Sequence, residues 1–136
     1  MPTNSVEGAI ANLLAKAMAL PGMREVPDTP VDQPGDFPWA WCYEATGKAI
    51  AQGAGWGSAG VTLVLQIFVS RTMLPPAIRT AMAFRTPLLL SIIQDPTLGG
   101  TTQNASEVRW RFENSEVAGV KTTGYRVEID CRILIQ

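Results

Sequence analysis

Two carboxylates could in principle take or give a proton here: Asp95, directly before Pro96, and Glu44, at the end of an alternating apolar segment. Neither has a histidine to work with, because the 136 residues contain none, and so the commonest acid–base group near neutral pH is missing. Asp95 reads more simply as a turn residue closing a helix. The thiols of Cys42 and Cys131 each lie in an alternating apolar segment, where cysteine behaves as a small hydrophobe. Two cysteines without histidine cannot complete a tetrahedral zinc site, and whether the pair forms a disulfide is left open by the spacing. The sequence therefore assigns no catalytic, cofactor-binding or metal-binding residue, and it points away from an enzyme.

Three other constellations invite a binding role. The run Gly53-Ala54-Gly55-Trp56-Gly57-Ser58-Ala59-Gly60 could cradle an anion with bare backbone amides. It lacks a following Gly-Lys-Ser or Gly-Lys-Thr, precedes a strand instead of opening a helix, and reads as a mobile hairpin loop. Trp56 within it is either tucked onto the core or presented to a partner. Arg109 and Arg111 flank Trp110, which suggests single-stranded nucleic acid. Alternation sends the tryptophan to the opposite face, however, and cross-strand ion pairs with Glu128 and Asp130 explain the arginines. Finally Glu25, Asp28, Asp32, Asp36 and Glu44 follow one another with no base between Arg24 and Lys48. This acidic stretch is expected to be exposed, as solvated surface, as a docking segment, or as a lining that repels DNA.

Composition sets the wider limits. Apolar residues make up 46% of the chain and charged ones 17%, which describes one folded domain with too few charges to cover its whole surface. Part of that surface is expected to be covered by other subunits. A net charge of −1 supplies no field to recruit polyanions. No apolar run approaches a membrane span and no leader pattern opens the chain, so it reads as a soluble protein of a reducing cytoplasm.

The elements follow from periodicity. Val6, Ile10, Leu13, Leu14, Ala17 and Leu20 predict a helix over residues 4–20, with Asn4 as N-cap and Pro21-Gly22 as its stop. Met23 to Val26 suit a short strand, and Pro27, Pro30, Pro34 and Pro38 punctuate a surface loop. Trp39, Trp41 and Tyr43 alternate with Ala40, Cys42 and Glu44 in a strand interrupted by Gly47. Val61, Leu63, Leu65, Ile67 and Val69 form one face of the next strand. Pro75-Pro76 open a second helix whose stripe is Ile78, Met82, Leu89, Ile92 and Ile93, with a kink expected at Pro87. Val108, Trp110 and Phe112 mark another strand. In the last strand Tyr125, Val127, Ile129, Cys131, Ile133 and Ile135 face the core, with Arg126, Glu128, Asp130 and Arg132 opposite. The expected architecture is an α+β two-layer sandwich: a mostly antiparallel or mixed sheet of four to five strands, with both helices on one face.

From Pro75 onward the chain resembles the tail terminator, or tail completion, proteins of tailed bacteriophages. The resemblance is carried by the helix with Ala77, Ile78, Arg79 and Leu88 to Ile93, then by Asp95-Pro96-Thr97-Leu98-Gly99-Gly100, and by a strand pair closing with Gly124-Tyr125-Arg126-Val127-Glu128-Ile129. It implies a virion subunit that forms a ring, hexameric in the family, on the head-proximal end of the tail tube. There it stops polymerisation and meets the head's neck or stopper protein, with DNA passing through the lumen. Head–tail adaptors and stoppers are the neighbouring reading, and a small-molecule enzyme using Asp95 or Glu44 is the alternative of another class. Trp56, the acidic residues Asp28, Asp32 and Asp36, and the turn residues Thr97, Leu98, Gly99 and Gly100 are the candidate partner contacts.

Overall fold

The computed structural model describes residues 4–27, 36–71, 74–117 and 119–135. Apart from the short strand expected at 23–26, the expected helices and strands are present in the expected order: α1 (Val6–Met18), β1 (Trp39–Gly53), β2 (Trp56–Ser70), α2 (Leu74–Ile93), β3 (Asn104–Val117) and β4 (Val120–Ile135). The four strands form one antiparallel sheet in the order β1-β2-β4-β3. Two hairpins thus lie side by side, joined through β2 and β4. Both helices pack on the same face, α1 over β1 and β2 and α2 over β4 and β2. This is the two-layer α+β sandwich that the periodicity predicts, with four strands.

The core lies between the layers. Leu63, Leu65 and Ile67 of β2 and Val127 and Ile129 of β4 meet Leu13 and Ala17 of α1 and Ala81, Leu88 and Ile92 of α2, all of them buried. Each buried leucine, isoleucine or valine side chain contributes about 1.5–3 kcal/mol by leaving water, and each alanine methyl less. Cys42 and Cys131 belong to this layer as free thiols. Burial pushes the Cys42 thiol up to about 12 and the Cys131 thiol up to about 11, so both stay protonated.

Several boundaries differ from the expectation for identifiable reasons. Ser5, not Asn4, caps α1: its hydroxyl accepts from the Gly8 amide at 2.9 Å, while the Asn4 side-chain oxygen accepts from the Leu134 amide at 2.8 Å. Segment 23–26 contributes only a parallel bridge between Glu25 and Trp39. Gly47 does not interrupt β1, since its partner Val61 holds the ladder and the irregularities lie between Glu44 and Thr46 and between Ala51 and Gly53. The glycine-rich run is not a loop. Residues Ala54 and Gly55 alone make the turn, with Gly55 at φ +80°, and Trp56 onward is strand paired on both sides from Gly57. Small residues leave that ladder without bulk to bury, which hides a strand from a reading based on apolar alternation.

The second helix runs through Pro87 without a break, and its buried face is turned by one position from the predicted stripe. Ala77, Ala81, Phe84, Leu88 and Ile92 face the sheet, whereas Met82 is about half exposed and Ile93 is 68% exposed. Small alanines let α2 approach closely, and the larger residues were the more visible pattern. On the face away from the helices, Trp39 is fully buried in a separate aromatic cluster. Its ring stacks on Phe68 at 5.0 Å and meets Trp41 edge-on at 4.8 Å.

Candidate functional site

The turn at residues 95–100 is built as a latch. Asp95 follows the end of α2, and its Oδ1 accepts from the Gly99 amide at 3.1 Å while Thr97 Oγ1 accepts from the Gly100 amide at 3.2 Å. Leu98 takes φ +48° and points into the core with no exposed surface, and Gly99 and Gly100 continue the left-handed path at φ +70° and +83°. The second Asp95 oxygen accepts from Lys16 Nζ at 2.8 Å, tying α1 to the exit of α2. The Ser5 amide donates to the Thr101 carbonyl at 2.9 Å, and the Ala105 amide donates to the Pro96 carbonyl at 2.6 Å. One six-residue turn therefore joins both helices and β3. The lysine hydrogen bond, then the Gly99 amide, hold the Asp95 carboxyl below the usual carboxylate range. A carboxylate held anionic by an ion pair is poorly placed to shuttle protons near neutrality.

Among the predicted contact residues, Thr97 and Gly99 are exposed on this latch and Gly100 is half-buried, whereas Leu98 is a core residue. Trp56 stands at the far end of the β1–β2 hairpin, 47% exposed, with its indole lying over Gly53. Asp36 is exposed and its amide donates to Glu25 Oε2 at 2.7 Å. Asp28 and Asp32 lie outside the described residues. Trp56, Asp36 and the latch thus belong to separate parts of the chain, with no hydrogen bond between them among the described residues.

The outer sheet face carries a charge lattice. Arg109 donates to Asp130 Oδ2 at 2.5 Å and to Glu128 Oε2 at 3.2 Å, and Arg126 donates to Glu128 Oε1 at 3.0 Å. Hydrogen bonds from Arg126 and Arg109 lower the Glu128 pKa, and Arg109 lowers that of Asp130. Arg111 departs from the expected cross-strand pairing, because its opposite residue is Arg126 and it turns to Glu113 at 3.3 Å. These arginines are engaged with carboxylates on their own sheet, which lowers their availability to phosphates.

Sequence reasoning did not mark the apolar surface. Trp110 and Phe112 lie opposite Val127 and Tyr125, hence on the helix side of the sheet, yet they stand beyond the cover of α2 and are 49% and 40% exposed. Met82, Leu90 and Ile93 are exposed along α2, and Ile50 beside the hairpin end. A further apolar groove of about 500 Å3 runs along α1, lined by Ile10, Ala11, Leu14, Met18 and Val26. The available signal was the second apolar stripe on α2, which is redundant once the alanine face is buried.

No group of three or more potential metal-ligating side chains occurs among the described residues. No described helix is long and apolar enough to cross a membrane. The chain matches no protein-family model and no curated protein.

Proposed function

We propose that this chain is a structural subunit of a phage-type tail terminator: a self-associating ring on the head-proximal end of a tail tube, which ends tube growth and offers its other side to a neck protein. The observation that carries the reading is the distribution of exposed large apolar residues, with Trp110 and Phe112 at one sheet edge, Leu90 and Ile93 on α2, and Ile50 and Trp56 at the hairpin end. Isolated exposed hydrophobes are ordinary, but groups on several sides of so small a domain fit a subunit covered by neighbours. The order of helix, latch and closing hairpin supports the terminator class in particular, through the sequence resemblance.

A terminator has to bind the tube end with one surface and withhold that surface on its other side, which is how a heterologous stack is closed. The latch and the hairpin end supply two chemically different surfaces for this task. The latch offers polar Thr97 and bare backbone at Gly99, and the hairpin end offers the Trp56 indole and Ile50. DNA would pass a wall on which Arg109, Arg111 and Arg126 are already paired with carboxylates. The subunit belongs, on this reading, to the tail or neck of a virion assembled in the host cytoplasm.

Assembly without the chain tests the proposal. Its loss should give tubes of uncontrolled length that fail to join heads. Tails of normal length that remain unjoined would move the assignment to a stopper or adaptor, and normal joined particles would overturn both.

A further inference from the structure

The order β1-β2-β4-β3 leaves two sheet edges of different chemistry: the second half of β1 is nearly free of charge, whereas β3 carries Glu107, Arg109, Arg111, Glu113 and Glu116. Natural edges are commonly guarded by charges, proline, bulges or very short strands, because unpaired amides and carbonyls template further pairing. From Thr46 to Gly53 every residue of the β1 edge is exposed; the stretch carries a single charge at Lys48, contains no proline, and meets no backbone partner on its outer side among the described residues. Its register irregularities lie at the two ends of this stretch, between Glu44 and Thr46 and between Ala51 and Gly53, leaving Thr46 to Ala51 regular. The β3 edge is likewise unpaired on its outer side from Glu107 onward, beyond the single bond between Ala105 and Pro96.

We propose that copies of this chain associate edge to edge, β1 of one against β3 of the next, continuing the sheet around the ring. The inference rests on the ring reading and specifies the surface that makes it. Strand direction supports it first. Neighbours alternate in direction across the sheet, so β1 and β3 run oppositely, and a copy added in the same orientation meets its neighbour with antiparallel strands, the pairing used throughout the subunit. Such a contact is heterologous and closes a ring when its rotation permits.

Side-chain complementarity supports it second and selects it over a two-fold contact. On the helix side of the sheet, β3 presents the large Trp110 and Phe112 and the free part of β1 presents Gly47, Ala49 and Ala51. Large against small fills the space; β1 against β1 would oppose small residues to small, and β3 against β3 would crowd aromatics. One antiparallel register sets Ala51 opposite Trp110, Ala49 opposite Phe112, and Lys48 opposite Glu113 on the other face. Lys48 has no ion-pair partner among the described residues, so this register supplies one.

The test uses the full chain with Lys48→Cys, with Glu113→Cys, and with both, treated with a short bis-maleimide. The native thiols are buried and protonated, so they compete weakly. Both substituted positions are polar side chains on strand surfaces, and circular dichroism checks that each variant folds. The double variant should give a covalent ladder ending at a closed product. A mixture of the two single variants should stop at dimers, and each single variant alone should stay uncrosslinked. Crosslinked dimers from one single variant alone would overturn the head-to-tail arrangement in favour of a two-fold contact. An oligomer by light scattering that yields no crosslinks would overturn the edge contact and leave the ring reading standing, whereas a monomer would overturn both.

Discussion

Glycine occurs in two dense groups, and the fold uses them in opposite ways. At residues 99–100 it lets the backbone take left-handed angles in a closed turn that buries Leu98 and joins α1, α2 and β3. At residues 53–60 it mostly lies in extended strand, with Gly55 alone supplying a positive φ for the two-residue turn. The first group closes the domain on itself. The second lies mostly on the inner strand β2, where ladders to β1 and β4 hold the backbone on both sides from Gly57, and only Gly53 belongs to the free β1 edge. Similar composition therefore supports a closed turn in one place and a regular ladder in the other, and the partners of each backbone decide which.

That contrast can be broken most forcefully at Leu98. Leu98→Ala should destabilise the domain by about 2–5 kcal/mol in denaturant unfolding, because it empties a fully buried position. A loss below 1 kcal/mol would mean that the latch is not part of the core. Gly99→Ala should cost about 1–2 kcal/mol, since its φ of +70° disfavours a side chain and the added carbon would meet Asn12 Nδ2 at 2.8 Å. Gly60→Ala sharpens the comparison from the other side. Gly60 is paired on both sides at an ordinary φ, and a methyl group there meets nothing within 4 Å. It should stabilise the domain by about 0.5–1 kcal/mol, and a melting temperature lowered by this substitution would show that the run is not strand.

Asp95→Asn is the smallest effect, about 0.2–1 kcal/mol at neutral pH for a partly exposed ion pair. Its pH dependence carries the information. The folded state lowers the Asp95 pKa, so its contribution is complete above the ordinary carboxylate value of about 4 and is lost as pH falls through the lowered folded value. The wild type should therefore lose stability on acidification more steeply than the Asn variant. Parallel pH curves would remove the Lys16–Asp95 bond from the account.

The layered architecture was legible wherever large apolar residues alternate or repeat. The two inner strands read clearly because Leu63, Leu65 and Ile67, and Val127, Ile129 and Ile133, must all face one core. Residues 44–53 were illegible for the converse reason: alanine, glycine and threonine alternate there without burying anything, and the ladder to β2 alone makes them a strand. On α2 the sequence offered two stripes, and packing chose that of Ala77, Ala81, Phe84, Leu88 and Ile92, leaving Met82, Leu90 and Ile93 outside. The latch was visible as a helix exit, but its ion pair to Lys16, 79 positions away, depends on tertiary placement that no local pattern encodes. The edge surfaces were hidden in the same sense, since an edge exists only once strand order is known.

The central claim is that this domain is one subunit of a closed assembly, and the solution mass of the unmodified chain tests it most directly. Light scattering should return a single species at a fixed integer multiple of 14.7 kDa that does not grow with concentration. A mass of one chain across the accessible concentration range would contradict it.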